Sequence, residues 1–75
     1  MMSQLKSEQA ADIARRFFGQ YHSTVEPKKV IWDNDSWLVQ VDIGFLTEKI
    51  RIIRVDPYTG KIIELVNESH LLNSV

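Results

Sequence analysis

The chain has no cysteine among its 75 residues, and only two prolines and three glycines. Without thiols it forms no disulfide and no thiolate metal site, so packing or self-association must stabilise a domain of this size. It also lacks an excess of either charge, since nine Lys and Arg stand against ten Asp and Glu. That balance argues against a general affinity for nucleic acid or for anionic membranes.

Long hydrophobic runs are absent as well. No apolar stretch approaches the ~18 residues that a membrane-spanning helix needs. Residues 1–6 are too polar to form the hydrophobic core of a signal peptide, so the expected location is cytoplasmic. A hydrophobic content of 44% and a charged content of 25% are ordinary for a folded globular domain, and residues 1–75 are expected to form a single one.

An amphipathic helix is predicted for residues 7–22. Apolar residues recur there at spacings of three and four, which is typical of one buried helix face. The members of this stripe are Ala10, Ile13, Ala14, Phe17 and Tyr21. Ser7 is the expected N-cap and Ser3 the alternative. Phe18 lies off the centre of the stripe and is expected to cover an edge of the core.

Four strands are predicted to follow the helix, at residues 29–33, 37–43, 48–55 and 61–66, with a tail at 67–75. The clearest alternation places Trp37, Val39, Val41 and Ile43 on one face. Turn-forming residues separate the strands, as in the Pro57–Gly60 loop, where Asp56 is expected to bond the backbone across the bend. Connections this short permit no crossover. The prediction is therefore an α+β domain in which one helix packs on a four-stranded antiparallel meander.

The edges of this meander are its first and fourth strands. Pro27, Lys28 and Lys29 would discourage open-ended pairing at the first edge. An extended peptide is able to add to an open edge strand.

The third strand leaves two arrangements open. Ile50 and Ile52 share one face, whereas Ile53 and Val55 share the other. A β-bulge near residues 52–53 would bring both pairs to the core. Without a bulge, Ile53 and Val55 would face away from the helix, together with Ile31, Leu38 and either Ile62 or Ile63. The second face would then be partly apolar, as in a partner-binding surface.

Apolar residues also stand at a predicted hairpin tip, where Phe45 and Leu46 follow Gly44. Tips are usually polar, so these two side chains either fold over the core or meet a partner. The candidate partner surface therefore comprises Ile31, Leu38, Phe45, Leu46, Ile53 and Ile63.

No catalytic or metal-binding constellation is visible. His22 ends the predicted helix and His70 lies in the tail, and neither adjoins a nucleophile motif. The run 33–35 resembles the start of a calcium loop, but Leu38 and Gly44 occupy the positions that require Gly and Glu. We expect no enzyme activity, no cofactor and no metal.

The chain resembles PepSY-type domains over residues 7–66. The residues that carry the resemblance lie in an Ala-rich opening helix, in a second strand and in a closing hairpin. They are Glu8, Ala10, Ala11, Ile13 and Ala14; Trp37, Val39 and Val41; and Val55, Asp56, Thr59, Gly60, Lys61 and Ile62. PepSY domains occur in protease propeptides and in standalone secreted or membrane-attached proteins. The resemblance implies a non-catalytic binding or inhibitory module that modulates peptidases, and the family has no shared catalytic residues.

The predicted function is accordingly a small, non-enzymatic interaction module that binds a protein or peptide, as a monomer or a homodimer. The alternative is a protein that binds single-stranded nucleic acid. It would use the basic residues of the last hairpin beside an exposed tryptophan. These basic residues are Lys49, Arg51, Arg54 and Lys61.

Overall fold

The protein folds as one helix on a four-stranded antiparallel sheet in the computed structural model, which describes residues 3–66. Helix α1 spans Ser7–Gly19, and the strands are β1 (Glu26–Asp33), β2 (Ser36–Asp42), β3 (Ile50–Val55) and β4 (Ile62–Val66). The sheet order is β1-β2-β3-β4, so each strand pairs with its neighbour along the chain. The predicted α+β fold is confirmed. No helix within residues 3–66 has the length and apolar character needed to cross a membrane.

Both ends of α1 differ from the prediction. The N-cap is Lys6 rather than Ser7 or Ser3, and its amide donates to the side chain of Gln9 over 2.7 Å. The first amides of a helix have no partner within the helix, and this bond satisfies one of them. The helix start is therefore capped without a serine side chain. The helix ends at Gly19 instead of residue 22, and the amides of Tyr21 and His22 then both donate to the Phe18 carbonyl. Glycine weakens the last turn because it loses more backbone freedom than any other residue when it is held in a helix.

The first strand begins three residues before its predicted start. Pro27 pairs with Val41, and the register shifts between Pro27 and Lys29, so Lys28 is an extra residue. Proline is compatible with this position because β1 is an edge strand, where one backbone amide is not needed for the ladder. The predicted tail at 67–75, including Leu71 and Leu72, lies outside the described residues.

The core lies between α1 and one face of the sheet. Its buried apolar members are Ala10, Ala14, Phe18, Val39, Val41, Ile43, Ile53 and Val55. Ala10 and Ala14 are fully buried, so their short side chains place the helix backbone close to the sheet. Phe18 is the third member of the central row and not an edge residue. Tyr21 is 69% exposed because it follows the end of the helix, so its predicted place on the buried stripe is wrong.

The register of β3 differs from both predicted arrangements. Val39 pairs with Ile53 and Trp37 with Val55, with no bulge between β2 and β3. Ile53 and Val55 therefore face the helix and are fully buried, whereas Ile50 and Ile52 lie on the other face. A register shift occurs instead between β3 and β4, where Val55 pairs with Ile62, Arg54 pairs with Glu64, and Ile63 is the extra residue.

Candidate interaction surface

The sheet has one face covered by α1 and one without a helix, which we call the helix-free face. Ile31 on β1 pairs with Leu38 on β2, and Leu38 in turn pairs with Arg54 on β3. Two residues along β3 from Arg54, Ile52 points to the same face, because side chains alternate along a strand. Ile31, Leu38 and Ile52 form what we call the aliphatic patch.

A shallow groove of ≈ 200 Å³ lies over the aliphatic patch, with Lys29 and Gln40 completing its walls. Lys29 pairs with Gln40 across the β1–β2 ladder. Within residues 3–66, no carboxylate lies within salt-bridge distance of the Lys29 ammonium group. The groove therefore combines an apolar floor with a single positive charge at its rim.

The structure divides the predicted partner surface among three places. Ile31 is 44% exposed and Leu38 is half-buried, and both lie in the aliphatic patch. Ile63 is 56% exposed at the bulge of β4. Phe45 and Leu46 are exposed at the tip of the β2–β3 loop.

Ile53 does not belong to this surface. It is 0% exposed and pairs with Val39 in the core, so its prediction as a partner residue is wrong. Ile52 takes its place on the helix-free face, a position that was not predicted from the sequence. The alternation of β3 showed that Ile52 and Ile53 lie on opposite faces, but both faces carry isoleucines. The pattern therefore contained no signal for which one is exposed.

Arg54 closes one end of the aliphatic patch. Its Nη1 donates to the Asp33 carbonyl at 2.9 Å, to Asp33 Oδ2 at 3.2 Å and to Ser36 Oγ at 2.8 Å. Its Nε donates to Glu64 Oε1 at 3.2 Å. Arg54 thus joins the first hairpin turn to β3 and β4, and because two carboxylates contact this one guanidinium, no net positive charge remains at this end of the patch.

The β2–β3 loop is closed by hydrogen bonds to Asp42 at its base. The Asp42 carboxylate accepts from the amides of Lys49 at 3.0 Å and Gly44 at 2.9 Å, and these bonds hold the pKa of Asp42 below its ordinary value of 3.8. A Cβ on Gly44 would overlap the Thr47 carbonyl oxygen, so only glycine fits the closure of this loop. Phe45 and Leu46, at the tip of this loop, are exposed and do not line the groove over the aliphatic patch.

The basic residues predicted to bind nucleic acid do not share one face. Arg51 pairs with Val41 and so lies on the helix side, whereas Arg54 lies on the helix-free face and bonds to acidic partners. Trp32 and Trp37 make an edge-to-face contact with ring centroids 4.9 Å apart. Trp37 also donates its indole N–H to the Leu5 carbonyl at 2.9 Å, and it packs against the core. A continuous basic and aromatic platform is not formed by these residues.

The other residues considered for chemistry have structural surroundings. Asn34 and Asp35, at φ 50° and 57°, form the two-residue loop of the first hairpin, so the turn interpretation of this acidic run is confirmed. His22 lies beside Phe18, with ring centroids 6.3 Å apart, and His70 is outside the described residues. In the part of the chain that the structure describes, no three His, Asp or Glu side chains are placed to hold a metal ion.

Comparisons with protein-family models, with curated proteins and with solved structures found no match to this chain.

Proposed function

We propose that this protein is a small, non-enzymatic interaction module of PepSY-like fold, which binds a protein or peptide through its helix-free face. The observation that carries the proposal is the aliphatic patch, which sits in a groove on the sheet face opposite α1. Grouped aliphatic side chains on one uncovered face are typical of a docking surface, whereas scattered single ones are not. The PepSY resemblance implies a peptidase as the partner class.

The groove also indicates what a partner must offer. Its floor is formed by branched aliphatic side chains, so the partner should insert aliphatic or aromatic side chains. Lys29 lacks a carboxylate partner among residues 3–66, whereas Arg54 at the other end is already balanced by Asp33 and Glu64. We therefore infer an apolar segment with an acidic residue placed next to Lys29.

The proposal is tested by selecting peptides from a random displayed library on the intact chain. Enriched peptides should combine aliphatic and acidic residues, and their titration should shift the amide resonances of residues 29–31, 38–40 and 52. Leu38→Lys should weaken binding about tenfold or more, because a partner would then have to desolvate a charge at the centre of the groove. Lys29→Glu should lower the affinity for the acidic peptides, because like charges would then repel at the rim of the groove.

Leu46→Lys is the matched control, since it introduces the same charge at a loop tip that is 88% exposed and remote from the patch. It should leave peptide affinity unchanged. Peptides that bind Leu38→Lys as tightly as the native chain would contradict the proposal, as would resonance shifts confined to the β2–β3 loop.

A further inference from the structure

The outer edge of β4 is the least protected edge of this sheet. β1, at the other edge, carries Pro27, two lysines and a bulge, which are devices that block the addition of another strand. β4 (Ile62–Val66) contains no proline or lysine, and Glu64 is its only charged residue. No other described strand lies beyond β4, so one row of its backbone donors and acceptors has no strand partner within residues 3–66.

The helix covers β4 less than β1 and β2, with which α1 has its most extensive contacts. Leu65 pairs with the fully buried Ile53 and so belongs to the helix side of the sheet, yet it is 60% exposed. Ile63, at the bulge, is 56% exposed. The edge therefore combines unpaired backbone groups with two large aliphatic side chains that an added strand would cover.

We propose that a second copy of this chain adds its own β4 antiparallel to this edge, and so forms a two-fold symmetric dimer with a continuous eight-stranded sheet. The strand is complementary to itself when Ile62 of one copy lies opposite Leu65 of the second copy. Ile62 pairs with Val55 and Leu65 with Ile53, so both side chains belong to the helix side. The two-fold axis makes each contact twice.

Charge supports a second copy as the occupant. In this register Lys61 lies diagonally across from Glu64 of the second copy. Lys61 belongs to the helix-free side by alternation from Ile62, and Glu64 belongs to it because it pairs with Arg54. No carboxylate lies within salt-bridge distance of Lys61 in the described part of the chain. A register shifted by one residue towards the C-terminus would place Glu64 opposite Glu64 of the second copy, and like charges repel there.

The dimer does not depend on the proposed function, because it uses the strand edge and leaves the aliphatic patch open on each copy. A five-residue strand gives an interface at the small end of specific contacts, so association should depend strongly on concentration.

Sedimentation of the full chain from about 1 µM to about 1 mM tests the proposal, because weak interfaces dissociate across this range. We expect the mass to rise from 8.7 kDa towards twice that value. Amide hydrogen exchange of residues 62–66 should slow as concentration rises. Leu65→Lys should raise the dissociation constant about tenfold or more, since it places a charge beside the aliphatic contact.

Leu46→Lys is the control and should dimerise as the native chain does. If Leu65→Lys does not fold by circular dichroism, Ile63→Glu replaces it, since that side chain is also largely exposed and a carboxylate there would lie opposite Glu64 of the second copy. A mass of one chain at every concentration would overturn the proposal. So would a dimer that Leu65→Lys leaves intact. The proposal would also be overturned if the amides of residues 62–66 that face away from β3 exchanged at the same rate at every concentration. The Leu65→Lys variant should still bind the selected peptides as a monomer. Loss of the dimer with intact peptide binding would show that the dimer and the proposed peptide-binding function are independent.

Discussion

Asp56 shows at the scale of one residue how the closing hairpin is held. Its Oδ1 accepts from the amides of Tyr58 at 2.7 Å and Thr59 at 3.2 Å, as expected from the sequence. Its carbonyl accepts from the Gly60 amide, and Gly60 has a φ of 76°, which glycine adopts without strain. The Leu5 amide then donates to the Pro57 carbonyl at 2.7 Å, so the loop also anchors the segment that precedes α1.

The carboxylate of Asp56 should stabilise the fold in a pH-dependent manner. The amides of Tyr58 and Thr59 hold its pKa below the ordinary value of 3.8, because they bond the charged form. The native pKa is therefore the lower of the two, and the stabilisation is fully present above pH 3.8 and lost as pH falls through the native pKa. We expect Asp56→Ala to lower the free energy of unfolding at neutral pH and to lose that difference progressively in acid, as measured by urea denaturation.

Glu48→Ala is the control for this effect. Glu48 is exposed and makes no side-chain hydrogen bond among the described residues. Its replacement should change stability little at any pH. A difference between native protein and Asp56→Ala that stayed constant down to strongly acidic pH would show that the loop bonds do not depend on ionisation.

At the scale of secondary structure, Arg54 connects strands that share no backbone hydrogen bonds, because each strand of the sheet pairs only with its neighbour. β1 and β4 are at opposite edges of the sheet, yet Arg54 on β3 bonds to Asp33 at the end of β1 and to Glu64 on β4. Its side chain is only 19% exposed, and it also satisfies Ser36, the one buried polar residue among those described. Such a bonded cation should contribute more than an exposed surface ion pair.

Replacing Arg54 by methionine should therefore destabilise the protein by about 1–3 kcal/mol, because Asp33 and Ser36 would lose their charged donor. Arg51→Met is the matched control, since among the described residues the Arg51 side chain donates only to the carbonyl of the adjacent Ile50. Chemical denaturation of both variants measures the difference. Equal losses from the two substitutions would show that the hydrogen bonds of Arg54 add nothing beyond its aliphatic stem.

At the scale of the whole molecule, a single core joins the helix to the sheet. The buried cluster contains side chains from α1, β2 and β3, and Leu5, Val30 and Ile62 pack against it from the remaining segments. The Trp37 indole links β2 to the Leu5 carbonyl before the helix. Because α1 and the sheet strands share this one core, we expect no part of residues 3–66 to remain folded once it is lost.

Unfolding should accordingly be a single cooperative transition with a net stability of roughly 3–5 kcal/mol, as for other domains of this size. Far-ultraviolet circular dichroism reports mainly the helix, and tryptophan fluorescence reports Trp32 and Trp37 on the sheet. The two denaturation curves should coincide. A fluorescence transition at lower denaturant than the helix transition would show instead that the first hairpin opens independently.

The sequence alone determined the parts of this protein that depend on local chemistry. The residues at 34–35 and the Pro57–Gly60 loop specify turns, and the connections between strands are too short for anything except antiparallel neighbours. Helix, strand order and fold class follow from these signals and from apolar spacing. PepSY-like function and a cytoplasmic location remain predictions from the sequence, and neither composition nor motif named a partner.

Only the tertiary structure decided which isoleucines of β3 are buried. Ile50 and Ile52 alternate with Ile53 and Val55, so two registers one residue apart offer equally apolar faces, and each exposes the opposite pair. Pairing with the unambiguous β2 strand resolved this choice, placed Ile53 in the core, and left Ile52 in the aliphatic patch. The binding surface thus depends on a long-range register, which local sequence patterns do not contain.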